Sequence, residues 1–193
     1  MKWNKNNKPI SWSSISSFRY DKDKWYRSYV LGIKDPPSKE MEFGSYIGKK
    51  LETDSAFLPE VPRQSTMEYK LHCPFGDIEI IGYCDSYGEL VLREYKTSSN
   101  KNRWTQQSVD EHGQITMYLL MLYITQNIKP EDVKVVLTYI PVEDTFDNGM
   151  QLNKSIPIGH FETKRTIKDI IMFGVEINKT VKEMENYENT ITI

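Results

Sequence analysis

The stretch GYCDSYGELVLREYK, from Gly82 to Lys96, constrains this chain more than any other. Ile78, Ile80 and Ile81 lead up to Asp85; Leu90, Val91 and Leu92 lead up to Glu94; the turn sequence SYGEL lies between. Two hairpin-linked strands follow from that pattern. Glu94 and Lys96 stand two apart, so on a strand they share a face, and the hairpin lays Asp85 beside them. Two carboxylates and an ammonium at the ends of apolar strands form a costly cluster for a core. A divalent cation accounts for it, because hard ions such as Mg²⁺ take carboxylate oxygens and a nearby lysine can orient an attacking water. The same pattern also occurs in solvated hairpins whose charges face water, and context has to separate the two readings.

A chain of 193 residues fits one well-filled core and is short for two, so a single domain over residues 1–193 is expected. No apolar run approaches the roughly 20 residues that span a bilayer, and no membrane partner is expected. The start, MKWNKNNKPISW, is basic but lacks the apolar stretch of a secretory signal. Cys73 and Cys84 lack metal-ligand spacing and read as free thiols of a reducing compartment, which makes a cytoplasmic location the expectation. The net charge of −2 does not mark a nucleic-acid binder, but its distribution is uneven. Lys2, Lys5, Lys8, Arg19, Lys22, Lys24 and Arg27 face only Asp21 and Asp23 in the first thirty residues, and the last third is acidic. A basic front and an acidic back suit a protein that grips a polyanion on one side, as well as an ordinary solvated surface.

Helical spacing over residues 13–29 places Ile15, Phe18, Trp25, Tyr26 and Tyr29 inward, with Ser11 or Ser13 as cap. Asp35-Pro36-Pro37 breaks the pattern, and a second helix is expected over about 41–56. Strands are expected at 66–72, 77–85 and 89–96, then one long helix over 106–127 with Ile115, Tyr118, Leu119, Leu122 and Tyr123 on its apolar face. A strand at 133–140, apolar enough to be buried on both faces, a loop at 142–150, a short strand near 155–162 and a helix over 167–187 complete an α/β chain.

That order of elements, with Asp85 in GYCD and Glu94 and Lys96 in LREYKTSS, resembles the PD-(D/E)XK nuclease superfamily, and within it the RecB-like exonuclease branch. The resemblance covers residues 11–140. It includes the opening SWSSISSFRYDKDKWYRSYV and a Gln-x-x-x-Tyr signature on the following helix, matched by Gln114 and Tyr118, which lie one turn apart. It implies a restriction-endonuclease-like core, a central mixed β-sheet flanked by helices. Two departures stand out. The branch carries a metal-binding histidine where this chain has Gly48, a position that Glu52, one turn later, could serve. The four cysteines of its iron–sulphur members are absent, and two cysteines cannot ligate such a cluster.

The resemblance implies hydrolysis of DNA phosphodiesters, single- or double-stranded, in DNA processing or recombination. Asp85, Glu94 and the Tyr95 backbone carbonyl would hold Mg²⁺ or Mn²⁺, with Glu52 as a further candidate. Lys96 would position water, its pKa open to lowering on partial burial, and Gln114 would orient Lys96 or a phosphate. Tyr118, Arg93, Lys101, Arg103 and Trp104 are the candidates for holding the strand, Trp104 by stacking on a base. A nuclease fold that binds DNA without cutting is the alternative, suggested by Gly48. Nothing in the residues marks an oligomer interface.

Overall fold

A computed structural model describes residues 9–145, 147 and 149–191. Lys2, Lys5 and Lys8 of the basic opening lie outside them. Helix α1 (Trp12–Tyr20) starts where the Ser11 hydroxyl accepts the Ser14 N–H at 3.3 Å. The single helix expected over 13–29 is interrupted at Asp21. This residue takes an extended backbone, and its carboxylate accepts the Lys24 N–H at 2.9 Å. Aspartate competes with the helical ladder by bonding nearby backbone, so it ends one helix and caps the next. Short helix α2 (Lys22–Trp25) follows and runs into a π-helical turn over Tyr26–Val30. Ile15, Phe18 and Trp25 are fully buried as the periodicity indicated, and the Trp25 indole donates to the Ser14 hydroxyl. Helix α3 (Lys39–Thr53) begins two residues before its expected start, because Ser38 caps it through the Met41 N–H.

Strands β1 (Thr66–Phe75), β2 (Ile78–Gly88) and β3 (Val91–Ser98) form an antiparallel meander. The β2–β3 turn has Glu89 and Leu90 at φ +51° and +59°, the two left-handed positions of a tight hairpin turn. Strand β4 (Lys134–Thr145) lies parallel to β3, and the crossover carries helices α4 (Gln106–Asp110) and α5 (Gly113–Gln126). The long helix expected over 106–127 is thus two. The chain turns out of helical geometry at His112, and Gly113 starts α5 directly beneath the Trp12 indole, where any Cβ would lie 2.2 Å from the ring.

β4 is the hub of the sheet. Its first half pairs with β6 (Gly159–Thr163) and its second half with β5 (Gly149–Leu152). The segment expected to be a loop over 142–150 is therefore largely a hairpin, with Gln151 bonded to Glu143 at 2.9 Å. Helix α6 (Ile167–Ile191) closes the described chain, four residues longer than the expected 167–187.

A six-stranded mixed sheet thus separates two apolar layers. Val135, Leu137 and Tyr139 of β4 join Leu92, Ile80 and the buried residues of α1, α5 and α6 in the larger one. Ile140 packs with Ile47 and Leu51 of α3 and with Val61 in the smaller one, where Tyr95 also rests. Alternation along β4 sends successive side chains to opposite faces, which is why this strand reads as apolar throughout. Among the described residues no helix is long and apolar enough to cross a membrane.

Candidate active site

The site lies where β2 and β3 part. Their ladder pairs Gly88 with Val91, Tyr87 with Leu92 and Ser86 with Arg93, and then stops. Beyond that fork β2 stays with β1 and β3 with β4, leaving backbone groups on facing edges without ladder partners. Three substitutes satisfy them. The Asp85 carboxylate accepts the Tyr95 N–H at 2.6 Å; the Tyr83 carbonyl accepts the Tyr118 hydroxyl at 2.5 Å; and Ile10 bridges the free β2 edge through the Glu79 carbonyl and the Ile81 N–H, both at 2.8 Å. A kink accompanies the fork. Ile80 and Cys84 point into the larger core and so does Tyr87, so the alternation changes phase across Asp85. Opposite it on β1, Glu68 has φ +48° and drops out of the pairing. Such a bulge-like break re-aims a side chain, and here that side chain is Asp85.

Glu94 and Lys96 share the α5 face of β3, as their spacing required. The Lys96 ammonium donates to Glu94 Oε1 at 2.7 Å and to Gln114 Oε1 at 2.9 Å. The Gln114 amide nitrogen then donates to the Tyr118 hydroxyl at 2.6 Å, and that hydroxyl donates to Tyr83. The chain of bonds fixes which way the Gln114 amide faces, since its oxygen must meet an ammonium. Gln114 and Tyr118 therefore tie the lysine to the split edge of β2.

Glu94 is 1 % exposed, and its second oxygen, Oε2, is shielded from solvent with no hydrogen-bond partner. A buried carboxylate oxygen without a donor costs the full desolvation of that atom, and a cation would offset it. Burial and the neighbouring Glu94 push the Asp85 carboxyl up to about 8, against the pull of Lys96 and the Tyr95 N–H. Burial alone would lower the Lys96 pKa, but the charges of Glu94 and Asp85 and the bond to Glu94 outweigh it, and the net shift is upward. The lysine is thus an ammonium donor. The lowering that partial burial suggested from the sequence does not occur, because two carboxylates share the same pocket.

Among the described residues no group of three or more His, Cys, Asp or Glu is placed to hold one ion. The donors at the fork are Asp85, Glu94 and the backbone carbonyl of Tyr95. The chemistry of that set is compatible with Mg²⁺ or Mn²⁺, which keep several waters and need only one or two carboxylates, and the Glu94 oxygen without a donor is free to accept a cation. Glu52 is turned to Lys49, bonded at 2.7 Å, and does not line the cleft.

A cleft of about 350 Å³ opens beside the fork. Asp85, Tyr95, Lys96 and Thr97 form its sheet wall, and Glu40, Met41, Gly44, Ile47 and Gly48 form its α3 wall. Arg93 lies on the opposite face of β3 from Glu94, with its Nε shielded and unbonded. Trp104 is folded inward: its ring lies 5.2 Å from that of His112, its indole N–H is shielded, and Arg103 covers it at 5.8 Å. It is not presented for stacking on a base in this form. Arg103 and Lys101 remain exposed on the loop that follows β3. The sequence reading missed Met41 and Glu40 as cleft residues. Their spacing to Gly44 and Gly48 on one helix face was the available signal. The Tyr83 carbonyl carries no signal in sequence at all.

No protein-family model and no curated protein matches the sequence. Solved structures do resemble the fold. An alkaline exonuclease from Laribacter hongkongensis aligns with a TM-score of 0.54 at 12% identity, over 95% of this chain and 91% of the other. The same enzyme in complex with dAMP gives the same TM-score, over 94% and 91%. A phage-related exonuclease from Haemophilus somnus 129PT aligns with a TM-score of 0.51 at 11% identity, over 93% of this chain and 80% of its own. At such identities the likeness is one of fold: a central mixed sheet flanked by helices, shared by this chain and these exonucleases.

Proposed function

We propose that this chain is a metal-dependent nuclease of the PD-(D/E)XK type, in its RecB-like branch, which hydrolyses DNA phosphodiesters as an exonuclease. One observation carries the reading: Asp85, Glu94 and Lys96 converge at the fork, with a Glu94 oxygen buried and unpartnered. The fold shared with exonucleases supports it. Asp85, Glu94 and the Tyr95 carbonyl would hold Mg²⁺ or Mn²⁺. When bound, such an ion lowers the pKa of a water and offsets charge on the phosphate.

The chain's own residues supply the rest. Lys96, held charged by its ion pair with Glu94, donates to a phosphate oxygen and meets negative charge as it develops there. Gln114 fixes the direction of that ammonium, and Tyr118 fixes Gln114. Asp85 keeps β3 at its distance from β2 through the Tyr95 N–H, so the two carboxylates hold their separation. Lys101 and Arg103, exposed beyond β3, grip phosphates along the strand.

The experiment is cleavage of end-labelled single- and double-stranded DNA with Mg²⁺, Mn²⁺ or EDTA, alongside Lys96→Ala and Glu94→Gln. Degradation from an end that requires the metal and vanishes in both variants is the expected result. DNA retained by all three proteins and cut by none would replace the nuclease with a DNA-binding protein of nuclease fold.

A further inference from the structure

We propose that the α3 wall of the cleft is a nucleoside subsite, in which Met41 packs against the unpaired terminal base of the strand being cut. The inference rests on the nuclease reading and names its substrate: a single-stranded DNA end.

The two walls of the cleft differ in chemistry. The sheet wall carries Asp85 and Lys96, where a phosphodiester would lie. The α3 wall offers Glu40, Met41, Gly44, Ile47 and Gly48, with no cation among them. Helix α3 does have lysines, but each is turned to an acid elsewhere: Lys39 to Asp144, Lys49 to Glu52 and Lys50 to Asp54. A groove that seats duplex DNA places lysines and arginines along both backbones, because phosphate contacts supply most of the affinity. This wall places a carboxylate and apolar surface there instead. Its complement is the uncharged part of a nucleotide.

Met41 is 65 % exposed and lines the cleft, so its side chain is open to whatever enters. A thioether packs well against aromatic faces and adapts to different shapes, so a methionine here accepts any base. Gly44 lets the helix approach: a Cβ there would stand 3.1 Å from the Thr97 hydroxyl. Gly48, two turns further along the helix, meets nothing within 4 Å, which leaves that end of the wall open. The volume of about 350 Å³ lies at the small end of ligand sites, which run from roughly 300 to 1,000 Å³. It suits one nucleotide rather than a segment of double helix.

The test uses oligonucleotides carrying the fluorescent base 2-aminopurine at the terminal or at an internal position. They are titrated with the full chain in EDTA, and cleavage of single-stranded and blunt duplex DNA is followed in Mg²⁺. The terminal probe should respond on binding and the internal one should not. Met41→Ala should weaken terminal-probe binding and raise KM on single strands about three- to tenfold, with kcat held, while Met41→Leu restores both. The advantage of single strands over blunt duplexes should shrink in Met41→Ala. Equal responses from the two probes, or an unchanged KM in Met41→Ala, would overturn the subsite. Cleavage by the wild type with an indifferent Met41→Ala sinks the subsite and leaves the nuclease. A terminal response lost in Met41→Ala without any cleavage keeps the subsite and sinks the nuclease. No response and no cleavage removes both.

Discussion

The two sides of the fork are built to different standards. On the α5 side a continuous relay of hydrogen bonds runs from Lys96 to Glu94 and Gln114, from Gln114 to Tyr118 and from Tyr118 to the β2 backbone, and only the second oxygen of Glu94 stands outside it. On the α3 side the wall is bare, with two glycines and an exposed methionine. A reacting centre needs groups held to fractions of an ångström, and packing with hydrogen bonds provides that. A surface that receives many different bases needs shape without directional demands. On the proposed reading, the contrast separates a wall for chemistry from a wall for substrate.

Breaking the wired side should cost most. Lys96→Ala removes the donor that the proposed reading assigns to the phosphate, and cleavage should fall by about 10²–10³. A loss of less than tenfold would mean the ammonium is structural. Gln114→Ala leaves Lys96 charged but unaimed and should cost about 10- to 100-fold in rate, in line with residues that orient a metal-site partner. Tyr118→Phe tests the same relay from its far end. It strands the Tyr83 carbonyl and should cost about 1–3 kcal/mol of stability, read as a lowered unfolding midpoint, with a rate loss no larger than that of Gln114→Ala. A rate loss without any loss of stability would place Tyr118 on the substrate instead.

The bare side should tolerate change. Gly48→His has room for its ring, since a Cβ there meets nothing within 4 Å, and should leave the unfolding midpoint of the metal-free chain within about 2 °C of the parent. It should also tighten Mn²⁺ binding by several-fold, measured by calorimetry. Unaltered affinity would show that this face of α3 is too far from the carboxylates to serve as a ligand.

The fork should also show itself in stability against pH. Folding raises the Asp85 carboxyl from 3.8 to about 8 through burial and the Glu94 charge. Between those values the folded chain keeps a proton that the unfolded chain has released, so the stability contribution is full below about 4 and is lost as pH rises toward 8. In EDTA, Asp85→Asn removes that dependence, and its midpoint should gain steadily on the wild type as pH rises across the window. Parallel curves would mean that Asp85 ionises freely in the folded state.

Much of this molecule was legible in its residues, for reasons that can be named. The meander, the buried β4 and the Asp85, Glu94 and Lys96 cluster follow from period-two patterning and from charges set at strand ends. What escaped depended on contacts between distant segments. Asp21 breaks a helix by bonding Lys24, and the polar run around it carries no mark of where the break falls. His112 and Gly113 split the long helix because Trp12, a hundred residues earlier, lies over the glycine. Trp104, a candidate for stacking on a base, rests against His112, a contact that nothing near it in sequence announces. The cleft wall went unread because glycines announce nothing by themselves. Glu52 looked suitable on spacing, but its pairing with Lys49 takes it out of the cleft.

The position of β4 has a consequence for how the molecule assembles. β2 and β3 are joined by a two-residue turn and can meet within microseconds, whereas β3 reaches β4 only after residues 99–133 have crossed over as α4 and α5. Until then Gln114 and Tyr118 are not yet docked, and the Glu94 and Lys96 charges sit beyond the β2–β3 ladder on a stretch of strand with both edges open. The residues that would do the chemistry are therefore last into place, and a refolding chain should regain its secondary structure well before it regains its fork. A nascent chain of this design spends its vulnerable interval with a hydrophobic hairpin exposed and its buried charges unpaired.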